Sequence, residues 1–283
     1  MRTAMQEDAL LSVRNLTKVY GEITPGLLER TGPEFATNIC PETGAIVACS
    51  NISFDLYPGE VLGIVGESGS GKSTLIQMLY FDLPATSGDV RFTHVEDGET
   101  NMLSLSSQKK RHIRNHLMGM VYQNPRDGLN FRFTAGGNIA EKLLMANVFH
   151  VGKIRNRAGD LLTHTEVPVK RMDESPARFS GGMQQRVQIS KAIANDPPLL
   201  LLDEVTSGLD LSVQAKVLDL IRGLQQQSGI SMIVVSHDLG VIRMLTDRTM
   251  VLKHGQIVEQ GLTDQILQDP QHGYTQLLVS SLL

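Results

Sequence analysis

Cysteine is scarce in this sequence: Cys40 and Cys49 are the two in 283 residues. They form no C-x-x-C pair and cannot supply a four-ligand zinc site, and so sparse a use of thiols fits a reduced, cytoplasmic setting. Long apolar runs are missing too. The longest, such as Leu199 to Leu202, fall far short of the roughly 20 residues that span a bilayer. The first residues lack the apolar core of a secretory signal, so work at a membrane is expected to pass through a partner, with no direct insertion. Positive charge is not in excess: 26 Lys and Arg stand against 30 Asp and Glu, for a net charge of −4. That argues against a protein-wide electrostatic footprint for nucleic acid, and no direct nucleic-acid partner is expected, though a local patch stays open. No internal repeat is visible. What the chain does have is 41% hydrophobic residues, enough core for one large α/β domain or two small ones.

The chain is organised around Gly66-Glu67-Ser68-Gly69-Ser70-Gly71-Lys72-Ser73, the G-x-x-x-x-G-K-S pattern of a phosphate-binding loop. Its glycines let backbone N–H groups close around an anion. Lys72 can reach β- and γ-phosphates, and the Ser73 hydroxyl can hold Mg²⁺. The pattern alone is also a Gly-rich turn, so context matters. Val61 to Val65 before it reads as a buried strand, and Ser73 to Leu79 after it reads as a helix whose positive dipole end faces the phosphate position.

Further strand ends carry chemistry. Leu10 to Val19 alternates as a strand ending at Tyr20, an aromatic that either packs or stacks on a base. Gly21 to Ala45 has four glycines, three prolines and little periodicity. It reads as a long loop, either disordered or used for partner contact. Strands follow at Val47 to Leu56 and near Val90 to Phe92. The basic run Lys109, Lys110, Arg111 and Arg114 is either a solvated helix face or a site for an acidic partner. Met118 to Tyr122 is a short strand ending at Gln123. Leu199 to Leu202 runs into Asp203 and Glu204. The first carboxylate can hold Mg²⁺ and the second can orient or deprotonate a water. Ile230 to Val235 ends at Ser236-His237-Asp238, and Lys253-His254-Gly255 reads as a hairpin turn between two strands. Two short helices, about Thr263 to Gln268 and Gly273 to Leu282, close the chain, and Met1 to Asp8 reads as a frayed start.

Together these motifs resemble the nucleotide-binding subunits of ATP-binding-cassette (ABC) proteins, from Leu10 to the end of the chain. The resemblance implies an α/β fold of the ABC-type P-loop NTPase class, with a RecA-like core, an antiparallel β subdomain and a helical subdomain. It places the ATP-binding domain at 9–262, with the loop insert at about 21–45, the helical subdomain at about 124–190 and a helical tail at 263–283. Residue by residue, Tyr20 matches the adenine-stacking aromatic, and Gly66, Glu67, Ser68, Gly69, Ser70, Gly71, Lys72, Ser73 and Thr74 match Walker A. Gln123 matches the Q-loop glutamine, which reaches the metal and the attacking water. Ser180, Gly181 and Gly182, continued by Met183 and Gln184, match the signature motif. Asp203 and Glu204 match Walker B and the catalytic glutamate, Asp210 the D-loop and His237 the switch histidine. The implied ligands are ATP and Mg²⁺, the implied activity is ATP hydrolysis, and the implied unit is a head-to-tail dimer in which each ATP lies between Walker A of one copy and the signature of the other. Two departures stand out: Val205 replaces the usual proline after the glutamate, and the insert begins directly after Tyr20.

Within the family, the Gln123-Asn124-Pro125-Arg126-Asp127-Gly128-Leu129 stretch is similar to ATP-binding subunits of carbon–phosphorus lyase systems for phosphonate breakdown. The Gly-Glu-Ser-Gly-Ser-Gly-Lys-Ser loop and the tail are shared with dipeptide and oligopeptide importer ATPases. Two partners therefore stay open, a soluble lyase core complex and a membrane permease. Repair or translation ATPases fit poorly, since the chain has no coiled-coil insertion, zinc cysteines or second cassette. Nucleotide binding without turnover is disfavoured by Glu204 and His237.

Overall fold

A computed structural model of the chain describes residues 8–281. Of the frayed start expected at Met1 to Asp8, all but Asp8 lies outside that range, as does Leu282, the last residue of the expected final helix. In chain order the elements are β1 (Leu11–Tyr20), β2 (Ile46–Leu56), β3 (Val61–Val65), α1 (Lys72–Leu79), β4 (Ser87–Phe92), α2 (Ser107–His116), β5 (Met118–Val121), α3 (Pro125–Gly128), α4 (Ala135–Met145) and α5 (Val151–His164). Then come α6 (Gly181–Ala192), β6 (Leu199–Asp203), α7 (Leu211–Ser228), β7 (Ser231–Val235), α8 (Leu239–Leu245), β8 (Arg248–Lys253), β9 (Gln256–Leu262), α9 (Thr263–Gln268) and α10 (Gly273–Ser280). Contacts divide the chain into two compact units. One holds the segment up to Ser106 together with everything from His237 onward, and the other is Ser107–Ser236. Among the described residues no helix is long and apolar enough to cross a membrane.

The first unit contains a three-stranded antiparallel sheet in the order β2-β1-β4. Leu11, Val13 and Leu16 on β1 are fully buried, and the register shift between Val13 and Leu16 re-aims the strand's second half. A second group of strands centres on β3. All five of its residues are buried, which is why it reads as an unbroken apolar run. β8 lies parallel to β3 and antiparallel to β9. The β8–β9 connection is the tight hairpin expected, with His254 at φ 45° and Gly255 at φ 78°.

The insert is not structureless. Leu28–Arg30 and Pro33–Phe35 form single 3₁₀ turns, and Gly32 and Thr37 form a β-bridge. Leu27, Cys40 and Ala45 pack with Val19 and Val47 in a small apolar cluster of their own. The Val47 N–H donates to the Asn38 carbonyl at 2.8 Å, tying the insert to the start of β2. This is the clearest difference from the expectation of a plain loop. A cluster of three residues spread over 19 positions has no helical or strand period to reveal it.

In the second unit β5, β6 and β7 run parallel, with Met118 opposite Leu199 and Asp203 opposite Val235. The stretch expected to be helical holds α3 to α6. The basic run falls on α2, of which Ile113 alone is buried. A buried lysine braces the unit: Lys142 donates to the carbonyls of Met118, at 3.2 Å, and Arg114. Burial, helped by the charges of Arg114 and Lys191, lowers its pKa to about 8.

Candidate nucleotide site

The predicted site residues divide between the units. Tyr20, the loop Gly66 to Thr74 and His237 belong to the first; Gln123, Ser180 to Gly182, Asp203, Glu204 and Asp210 belong to the second.

In the first unit the loop leaves the buried end of β3 and enters α1. Two glycines are required by geometry. Gly66 (φ 153°) lies against the Leu252 carbonyl, which an added Cβ would meet at 2.2 Å, and Gly71 (φ 106°) lies against the Ala48 carbonyl at 2.1 Å. Either close approach excludes any side chain. The Gly255 N–H donates to the Ser70 carbonyl at 3.0 Å, so the β8–β9 turn supports the loop from beneath. Glu67, Ser68 and Gly69 form its exposed lip. Lys72 is 4% exposed and curls back over the loop, donating to the carbonyls of Gly66 at 2.7 Å and Glu67 at 2.8 Å. Gly71, in a left-handed conformation, caps α1 with no side-chain hydrogen bond, which puts the positive end of the helix dipole at the loop. Ser73 and Thr74 are half-buried on that first turn. Tyr20 ends β1 with 40% of its surface exposed and the Lys18 ammonium 4.8 Å from its ring centroid. His237 is exposed and begins the segment capped by Asp238, whose carboxylate accepts from the Gly240 N–H to start α8.

In the second unit Asp203 is the buried last residue of β6. Glu204 follows with φ 45°, and its N–H donates to the Val235 carbonyl at 2.9 Å. The Gln123 side-chain amide donates to the Glu204 carboxylate at 2.9 Å, so the structure joins these two candidates directly. Val205, at the position where proline is usual, is buried. Ser180 caps α6, its hydroxyl accepting from the Met183 N–H, and Ser180 and Gly181 are exposed at the helix start. Gly182 differs from them. It is buried, and an added Cβ would meet Val213 Cγ1 at 2.2 Å. Its lack of a side chain serves the approach of α7. Asp210 caps α7, accepting from the Ser212 hydroxyl at 2.8 Å and the Val213 N–H at 2.9 Å, and these bonds lower its pKa.

Two buried glutamines were not expected at the site. The Gln188 side chain, 1% exposed, accepts from the Tyr122 N–H at 2.8 Å and donates to the Tyr122 carbonyl at 3.0 Å. Gln185 donates to the same carbonyl at 3.4 Å. The Lys191 ammonium donates to the Gly128 carbonyl at 2.9 Å. Helix α6 thus holds both ends of the segment that contains Gln123. Glutamines on a helix normally read as surface, and the one available signal was their spacing of three residues.

A family model described as "ABC transporter" matches residues 49–207, from β2 through Ser207. The chain belongs to the ABC transporter family. This ABC protein is an ATPase. It is 44% identical over 274 residues to the phosphonates utilization ATP-binding protein PhnK of Escherichia coli (strain K12), covering 97% of this chain and 98% of that protein. It is 38% identical to the oligopeptide transport ATP-binding protein OppD of Bacillus subtilis (strain 168), covering 84% of this chain and 67% of that one. Among solved structures, the ATP-binding cassette MJ0796, a dimer in a post-hydrolysis state bound to ADP and Pi, matches with a TM-score of 0.74 and 27% identity, over 89% of this chain and 98% of that one.

Proposed function

We propose that this ABC ATPase works in the cytoplasm as a head-to-tail dimer and couples ATP hydrolysis to a soluble carbon–phosphorus lyase complex that breaks down phosphonates. One observation carries the phosphonate reading. The likeness to the phosphonates utilization protein is 44% identity over 97% of this chain and 98% of the relative, whereas a glutathione import ATP-binding protein of Pectobacterium atrosepticum matches the same share of this chain at 35% identity and over 41% of its own length. The likeness to the oligopeptide transport protein covers 84% of this chain. That last likeness supports the alternative, an ATPase energising a dipeptide or oligopeptide importer.

In this reading the Gly66 to Thr74 loop and the α1 N-terminus hold the ATP phosphates, Lys72 supplies charge to the β- and γ-phosphates, and Tyr20 stacks on adenine. Ser73 and Asp203, with Gln123, are hard oxygen donors suited to Mg²⁺, which when bound neutralises phosphate charge. Glu204 orients or deprotonates the attacking water, Gln123 fixes the Glu204 carboxylate, and His237 assists at the γ-phosphate. Ser180, Gly181 and Gly182 complete the site of a second copy, with Asp210 beside it.

Arg126 is exposed on α3, with its guanidinium 5.1 Å from the Phe131 ring centroid. In that position its planar donors are free to meet a partner carboxylate in a way lysine would not reproduce. Deleting the gene should abolish growth on a phosphonate as sole phosphorus source and leave growth on phosphate and peptide uptake intact. Arg126→Ala should weaken co-purification with the lyase core and leave basal ATPase activity nearly unchanged. Normal growth on phosphonate with failed peptide uptake would replace this reading with the importer one.

A further inference from the structure

The tail reaches the phosphate loop. The Glu67 N–H donates to the Tyr274 hydroxyl at 3.0 Å, and Tyr274, on α10, is 5% exposed. The other side of the same peptide unit is the Gly66 carbonyl, which accepts from Lys72 Nζ at 2.7 Å. One peptide plane is therefore clamped at its oxygen by the lysine of the loop and at its nitrogen by a tyrosine about 200 residues away. Rotation of this plane would break both bonds at once, and the Leu252 carbonyl already crowds Gly66 from behind. The tyrosine is itself held. Its ring faces the Lys253 ammonium at 4.6 Å. The helix start is anchored by the Glu259 carboxylate, which accepts from the N–H groups of Gln271 at 2.7 Å and His272 at 3.0 Å. The imidazole of His272 caps the helix by accepting from the Tyr274 N–H at 3.1 Å.

We propose that Tyr274 is a positioning residue for nucleotide binding: its hydroxyl fixes the Gly66–Glu67 peptide, and through it the reach of Lys72, so that α10 sets the affinity of the loop for ATP. This rests on the Gly66 to Thr74 loop being the ATP site. Losing the bond leaves the Glu67 N–H without its partner and the Lys72 anchor free to turn. A neutral hydrogen bond of this kind corresponds to roughly a fivefold to tenfold change in an equilibrium.

The test uses the full chain and a fluorescent ATP analogue, with steady-state ATPase kinetics and thermal unfolding. Tyr274→Phe should weaken analogue binding and raise KM about fivefold to tenfold while kcat stays within about twofold, the pattern of lost uniform binding. Glu259→Gln loosens the helix start but keeps the hydroxyl, and should shift affinity much less. Unchanged affinity in Tyr274→Phe, with or without a lower unfolding temperature, would overturn the proposal and leave Tyr274 as a packing residue. So would an affinity loss in Glu259→Gln equal to that in Tyr274→Phe, since docking of the helix and not the hydroxyl would then carry the effect. A wild-type chain that failed to bind the analogue would instead overturn the reading of the loop.

Discussion

Glu204 combines a carboxylate beside the Gln123 amide with a left-handed backbone, φ 45°. A non-glycine residue held there costs on the order of 1 kcal/mol, and such positions recur where geometry serves chemistry. Glu204→Gln keeps the size and still offers an oxygen to the Gln123 amide, but removes the charge. We expect ATP binding to survive and single-turnover hydrolysis to fall by about 10² or more. Near-normal turnover would remove Glu204 from the role of base. The strand-end carboxylates were legible in the sequence because four leucines ending in two acids admit few other readings. The Gln188 and Tyr274 contacts were not. Each joins residues distant in sequence through a side chain that reads, locally, as ordinary helix surface or packing.

Among the elements, the buried strands were the most legible. β3, and β6 up to its final Asp203, are apolar because parallel strands are covered on both faces, so their sequences announce them. Helix α8 was hidden: it has seven residues, too few to show a period, and its start signal is the single capping residue Asp238. The insert was hidden for another reason, since its 3₁₀ turns are three residues long and its core is shared with β1 and β2. That shared core makes a prediction. Leu27→Ala should cost about 2 kcal/mol within the cluster, toward the low end for a buried leucine. Hydrogen exchange should then speed up at the amides of Gly32, Cys40 and Val47, with ATP binding retained. Exchange rates equal to wild type would mean that Leu27 does not hold the insert.

At the scale of the whole molecule, Ser180 and Gly181 lie exposed at the start of α6, and the solved cassette MJ0796 is a dimer. A trans arrangement can be tested by mixing two inactive variants. Gly181 is the better position for the second one, because an added Cβ there meets Leu209 at 3.7 Å, an ordinary contact, whereas Gly182 has no room. Lys72→Ala and Gly181→Asp should each be inactive alone. Mixed in equal amounts they should recover about a quarter of wild-type activity, since half the dimers are mixed and each of those keeps one intact site. No recovery would exclude sites shared between copies. The attachments of α6 have a mechanical consequence. The segment from Tyr122 to Gly128 is fastened to that helix at both ends, by Gln188 and by Lys191. A strap riveted at both ends transmits tension to its frame, so a load applied at Arg126 is delivered to α6, the same rod whose tip is Ser180.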